Sequence, residues 1–235
     1  MASVLLDSPH ALVTQVDSPR CQLPGVTNRD GWGIAWRHGD GWSQRRSTIP
    51  FSADHDGQAG LRTISTASFV AAIRRASPGA ALTESGNAPF VSGRWAFSLN
   101  GFVGGFFEGA DEVLREQLTT ARREVLAGDA DSEVLFGLVL DRIDRGADPA
   151  AALEAVVAAG LDAAGARPSR LNLLLSDGAT IWATRWSNSL FSRRTAEGDV
   201  AVASEPWDDD PSWVEVPDGS ILTATPVSVA VEPLA

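Results

Sequence analysis

Four short stretches place chemically capable groups where an ordinary core would not want them. Asn28-Arg29-Asp30-Gly31-Trp32-Gly33 is a polar turn running straight into a hydrophobic strand. Ile73-Arg74-Arg75-Ala76-Ser77 is an apolar stretch ending in two arginines, and Ser98-Leu99-Asn100-Gly101 ends a strand in an amide followed by a glycine N–H. Asp129-Ala130-Asp131-Ser132-Glu133 opens a helix. Taken singly, each has an ordinary use: Asn-Gly as a turn, Asp-Ser as a helix start, paired arginines as a solvated strand end. Taken together they hold a guanidinium, a carboxylate and two oxyanion donors. An arginine fork grips a carboxylate in bidentate fashion, and an aspartate pairs with an ammonium. The Asn100 side-chain amide and the Gly101 N–H can stabilise a tetrahedral oxyanion, worth roughly 3–4 kcal/mol per donor. A carboxylate beside an ammonium is the head of an amino acid, so the set suits a γ-glutamyl group whose amide carbonyl is under attack.

The composition narrows the field. The chain has 235 residues, one cysteine, three histidines, no tyrosine and no lysine, so all 19 basic residues are arginine. That excludes a lysine Schiff base, a phosphate-gripping lysine of the Walker type and a tyrosine general acid. One cysteine allows no internal disulfide and no multi-cysteine metal cage. His38 and His55 sit among turn residues and His10 follows a proline; with no cluster, neither a metal nor a cofactor is expected. The net charge of -11 argues against a nucleic-acid surface. No stretch approaches the ~20 apolar residues that span a bilayer, and the start lacks the basic flank of a signal peptide. A soluble, cytoplasmic protein acting on a small molecule is the expectation.

These groups need a frame. Trp32–Trp36, the turn Gly39-Asp40-Gly41 and Trp42 onward predict a β-hairpin, and Phe69–Ile73 and Arg94–Leu99 predict further strands. Helical spacing runs from Asp111 to Ala127 and from Asp131 to Arg145, and an alanine-rich helix runs from about Pro149 to Ala164. Strands return at Leu171–Leu175, Thr180–Trp186, Leu190–Arg193, Val200–Ala203, Ile221–Ala224 and Val227–Val231, with Asp177-Gly178 as a hairpin turn. Strands, a helical block and strands again predict an α+β class with mainly antiparallel sheets in one layered sandwich.

The chain resembles the class II glutamine amidotransferase-like, N-terminal nucleophile hydrolases. Within them it is most similar to the amidohydrolases of ergothioneine biosynthesis, which remove glutamate from γ-glutamyl-hercynylcysteine sulfoxide. The likeness spans the whole of 1–235 as a single domain. It is carried by Asn28–Gly33, Ile73–Ser77, Asn87-Ala88-Pro89-Phe90, Ser98–Gly101, Asp131-Ser132-Glu133, Arg170–Leu174, Ala183–Trp186 and the run from Ala203 to Trp213, whose acidic, Trp-rich character favours the ergothioneine branch. The resemblance implies a four-layer αββα sandwich. It also implies that Arg74 holds the substrate α-carboxylate, Asp131 its α-ammonium, and Asn100 and Gly101 the oxyanion. Ser77 joins the substrate-binding group, and Asn28 and Asp30 lie near the nucleophile. Leu99 stands where a histidine often precedes Asn-Gly in the superfamily.

The same resemblance calls for a cysteine nucleophile at residue 1 whose own α-amine is the base. Here Ala2 follows Met1, and Cys21 is an internal residue of a polar loop with no free amine beside it. The expectation is a start placed too late, with the cysteine and the first strand encoded upstream and the chain as it stands inactive. The alternatives are a glutaminase subunit feeding ammonia to a partner synthase, and a catalytically dead γ-glutamyl-binding protein. Trp207, Asp208-Asp209-Asp210 and Trp213 have two readings. One is a pocket for a quaternary ammonium; the other is an acidic loop anchored by its tryptophans.

Overall fold

The structure is a computed structural model that describes residues 1–77, 79–195 and 198–235. Strands β1 (Trp32–His38) and β2 (Gly41–Ser47) form the expected hairpin, and β3 (Phe69–Ile73) pairs with the other side of β1. Alternation along β1 decides what this sheet touches. Trp32 and Ile34 point outward to Leu5, Val16, Phe51 and Leu61, which belong to the N-terminal helical turns, α1 (Leu12–Gln15) and α2 (His55–Leu61) with its flanks. Ala35 points the other way and meets Val70 and Ala96. Gly33 also faces inward, where a Cβ would lie 2.4 Å from the Ala88 carbonyl oxygen.

The second sheet has six antiparallel strands in the order β12-β11-β7-β6-β5-β4. They are β4 (Phe90–Ser92), β5 (Trp95–Phe102), β6 (Arg170–Ser176), β7 (Ile181–Arg185), β11 (Ser220–Ala224) and β12 (Val229–Pro233). Its far face carries α3 (Ala110–Glu116), α4 (Thr120–Glu124), α5 (Asp131–Asp144) and α6 (Pro149–Ala164). Leu114, Leu138 and Leu153 pack there against Phe97, Leu171 and Leu175 in the largest core. The result is the helix–sheet–sheet–helix sandwich that was expected. A third sheet places β8 (Phe191–Arg194) between β9 (Val200–Ala203) and β10 (Val214–Glu215).

Four expectations shift. The helix expected over 111–127 is two helices, broken where Thr119 caps α4 and donates both its N–H and its hydroxyl to buried Asp141. α2 was not expected; Asp54 caps it by accepting from the Gly57 N–H. β12 starts at Val229 instead of Val227 because residues 225–228 close a turn, with Thr225 N–H donating to the Ser228 carbonyl. Asn100-Gly101 does not end its strand: β5 continues to Phe102, which pairs with Arg170.

β3 and β9 are terminal strands of their sheets, and every residue of both borders one cavity of about 1230 Å³. Ordinary ligand pockets run to about 1,000 Å³.

Candidate active site

The cavity lies between the sheets, and the loops leaving β3 and β5 supply its polar wall. Arg74 follows the last residue of β3 and stays in register: its N–H donates to the Gly31 carbonyl, and its carbonyl accepts from the Asp30 N–H. The guanidinium is steered by two neutral acceptors. Nη1 donates to Asn87 Oδ1 at 3.2 Å and Nη2 to the Ala81 carbonyl at 3.2 Å. Asn87 is itself fully buried and donates to the Ser47 carbonyl, so it cannot swing away. Burial depresses the Arg74 pKa, opposed by the charges of Asp30, Asp131 and Asp129. A cation so placed favours an anionic ligand.

Asp131 is the first residue of α5, where the helix dipole favours a negative charge. Its Oδ2 accepts from the Val103 N–H at 3.1 Å and its Oδ1 from the Ser132 N–H at 2.7 Å. Desolvation pushes its pKa up, against those two N–H groups and the Arg74 charge. An incoming ammonium would relieve that cost. Arg74 and Asp131 both line the cavity, as do Ser77, Asn28, Asn100 and Gly101.

Gly101 is required by its backbone. At φ 149° it adopts a conformation that side chains avoid, and a Cβ would sit 1.9 Å from the Arg170 carbonyl oxygen. Asn100 lies beside it, opposite Asn172 in the β5–β6 register. Asn28 is buried, donating to the Gln15 carbonyl and accepting from Gln22 Nε2 at 3.5 Å. Its amide is spent on structure. Asp30 does not reach the cavity wall; its Oδ2 accepts from the Ala76 N–H at 2.8 Å and so braces the loop after Arg74.

Other residues of the site were not singled out from the sequence. Asn188 and Asn172 line the cavity beside Asn100, and Glu205 does so with 4% of its surface exposed. Glu205 Oε2 accepts from the N–H groups of Arg20 and Cys21, both at 2.8 Å, while Oε1 has no partner among the described residues. This holds the Cys21 loop at the cavity rim. The Cys21 thiol is pushed up in pKa by burial and by the Glu205 charge, opposed by a hydrogen bond to Ser189, which is the opposite of what a nucleophile needs. A polar residue inside an apolar strand, Leu171-Asn172-Leu173, was the available signal for Asn172.

The acidic, tryptophan-rich segment has a filled interior. Arg193 from β8 sits 5.0 Å from the Trp207 ring centre and 4.8 Å from that of Trp213, and its Nη1 contacts both Asp208 oxygens at 2.9 Å. The two indoles meet edge to face. Of the two readings, the anchored loop is the one this arrangement matches, with the space between the indoles taken by Arg193.

A helix–sheet–sheet–helix sandwich with this interlayer cavity is the architecture of amide-cleaving N-terminal nucleophile hydrolases. The family model for class II glutamine amidotransferases matches residues 18–197, and the chain belongs to that family. It is 32% identical over its whole length to the gamma-glutamyl-hercynylcysteine sulfoxide hydrolase of Mycolicibacterium smegmatis, covering 94% of that protein, and 31% identical to the Mycobacterium tuberculosis protein of the same name, covering 91%. The solved glutamine aminotransferase class-II domain protein of Silicibacter pomeroyi superposes with a TM-score of 0.70 at 28% identity, over 88% of this chain and 92% of that one. The glutamine phosphoribosylpyrophosphate amidotransferase of B. subtilis shares the fold at 16% identity, TM-score 0.62, over 88% of this chain and 43% of that one.

Proposed function

We propose that the chain is the hydrolase that cleaves the γ-glutamyl amide of γ-glutamyl-hercynylcysteine sulfoxide, releasing glutamate in ergothioneine biosynthesis. The observation that supports this reading is that Arg74, Asp131 and Asn100-Gly101 all line one cavity, with the Arg74 charge acting on the Asp131 carboxyl. The full-length likeness to the mycobacterial hydrolases supports the substrate. Arg74 takes the α-carboxylate and Asp131 the α-ammonium, which leaves the γ-carbonyl beside Asn100 and Gly101. Ser77 lines the same cavity and in this reading adds a hydroxyl to the glutamyl head.

The nucleophile in this reading is a cysteine thiolate whose own α-amine, with a pKa of about 8, takes its proton. The thiolate attacks the carbonyl carbon, the tetrahedral oxyanion rests on Asn100 and Gly101, and the C–N bond breaks as the leaving amine takes up the proton. Water then hydrolyses the thioester to free glutamate. Cys21 cannot fill that role, because it is internal, with no free amine beside it, and burial and the Glu205 charge push its thiol pKa up. We place the nucleophile on an extended segment pairing with the open edges of β3 and β9, which border a cavity larger than the substrate head requires.

The test is to express the chain with the in-frame codons upstream of Met1, and separately with a grafted Met-Cys strand, and to assay the sulfoxide and glutamine in parallel. Hydrolysis of the sulfoxide well ahead of glutamine is expected. Glutamine turnover that rises only with a synthase present would instead favour an ammonia-supplying subunit. No hydrolysis of any γ-glutamyl compound would leave a binding protein.

A further inference from the structure

Asn188, outside the glutamyl-binding set, meets Asn100 directly and is itself held by a turn that Asn172 braces. Asn188 Nδ2 lies 3.0 Å from the Asn100 backbone carbonyl oxygen and 3.2 Å from its side-chain Oδ1. A backbone carbonyl can only accept, so the Asn188 atom facing it must be the amino nitrogen. That amino group then also fixes the atom it meets on the Asn100 side chain, which must be the oxygen. With Oδ1 turned to Asn188, the Asn100 amino group points away from it. No partner for Asn100 Nδ2 occurs among the described residues, and that nitrogen is not sealed from the cavity.

Asn188 is held in place. Ser187 before it has φ 65°, the one non-glycine residue with positive φ among the described residues, and its N–H donates to Asp218 Oδ1 at 2.8 Å. Buried Asn172 clamps both ends of this turn: Oδ1 accepts from the Trp186 N–H at 2.8 Å, and Nδ2 donates to the Ser189 carbonyl at 2.9 Å. Backbone strain of this kind persists only where the surroundings over-determine it. Here it aims one amide at another.

We infer that Asn188 is a positioning residue that presents the Asn100 amino group, and not its carbonyl, to the developing oxyanion. The inference rests on the oxyanion role proposed for Asn100. Oriented donors stabilise a transition state because they need no reorganisation when charge develops. An asparagine free to reverse would present its oxygen part of the time and repel that charge.

The discriminating variant is Asn188→Asp in the nucleophile-bearing enzyme, with γ-glutamyl-hercynylcysteine sulfoxide as substrate. The change is isosteric and converts the donor to an acceptor, so the Asn100 amide should reverse toward it. Expected is a loss in kcat of about 100-fold, the size of losing one oxyanion donor, with KM unchanged within about threefold. The double variant Asn100→Ala/Asn188→Asp should be no slower than Asn100→Ala alone, because Asn188 acts through Asn100. If Asn100→Ala is slow and Asn188→Asp keeps its kcat, the positioning role is overturned and the oxyanion role stands. If Asn100→Ala keeps its kcat, both fall. The 235-residue chain gives a reading independent of turnover: the Asn188 side-chain amide protons should exchange slowly with solvent, and exchange as fast as in an exposed asparagine would overturn the inference.

Discussion

Two arginines line the same cavity and are used in opposite ways. Arg193 is consumed by the protein: two indole faces, both Asp208 oxygens and, at 3.6 Å, Asp210 surround it. Arg74 is steered by an amide oxygen and a backbone carbonyl, and among the described residues no carboxylate forms an ion pair with it. One charge is neutralised in place, the other is aimed and left open. Neutral acceptors are the means of doing this, because they fix a guanidinium without cancelling the field that recruits a carboxylate. If Arg74 binds ligand as proposed, this difference separates it from the structural Arg193 more directly than burial does, since both are partly buried.

The contrast can be broken by experiment. Arg74→Ala should weaken L-glutamate binding, read by calorimetry, by about 100-fold or more, the size of losing one partner of a desolvated charge pair. It should cost only about 1–2 kcal/mol of stability, from the Asn87 oxygen left without its donor. Arg193→Ala should do the reverse, costing about 2–3 kcal/mol in denaturant unfolding by removing the stem packed between two indoles and one of the donors to Asp208, while L-glutamate affinity stays within about threefold. Loss of glutamate binding in Arg193→Ala with normal stability would erase the distinction. Smaller is the effect of pH. Asp131 has a raised pKa, so its destabilising charge is fully present above that pKa and is removed as pH falls through it toward the ordinary carboxylate value. Ligand-free stability should therefore gain from this group over that interval, while L-glutamate affinity declines because the ammonium loses its partner. A decline that begins only at the ordinary aspartate pKa would remove Asp131 from the site. Smallest of all, Cys21→Ser should change unfolding free energy by no more than about 0.5–1 kcal/mol and leave L-glutamate affinity as it was.

Much of this was legible in the chain because local signals agreed with the global fold. The alanine-rich helix Pro149–Ala164 starts with an aspartate cap and a proline and matches its expected bounds, and the tryptophan hairpin is closed at Gly39, whose φ of 58° suits the turn. Arg74, Ser77, Asn100, Gly101 and Asp131, picked out by residue type and spacing, all line one cavity. What could not be read depended on partners distant in sequence. Nothing near Trp207 or Trp213 announces that Arg193 fills the space between them. Nothing near Thr119 announces that Asp141 breaks a helix there. Asp30 has the residue type of a site carboxylate, yet the Ala76 N–H claims it. Asn-Gly at Asn100-Gly101 has the composition of a turn, but pairing with β6 through Arg170 holds it inside a strand.

The open edges of β3 and β9 have a further meaning for the life of the molecule among others. Unpaired strand edges invite other chains to add to them, and these two border the cavity between the sheets. An extended peptide is the partner that such an edge accepts. A short synthetic strand, matched to the apolar spacing of β3, would therefore compete for these edges, giving a route to inhibitors that enter the cavity by backbone pairing.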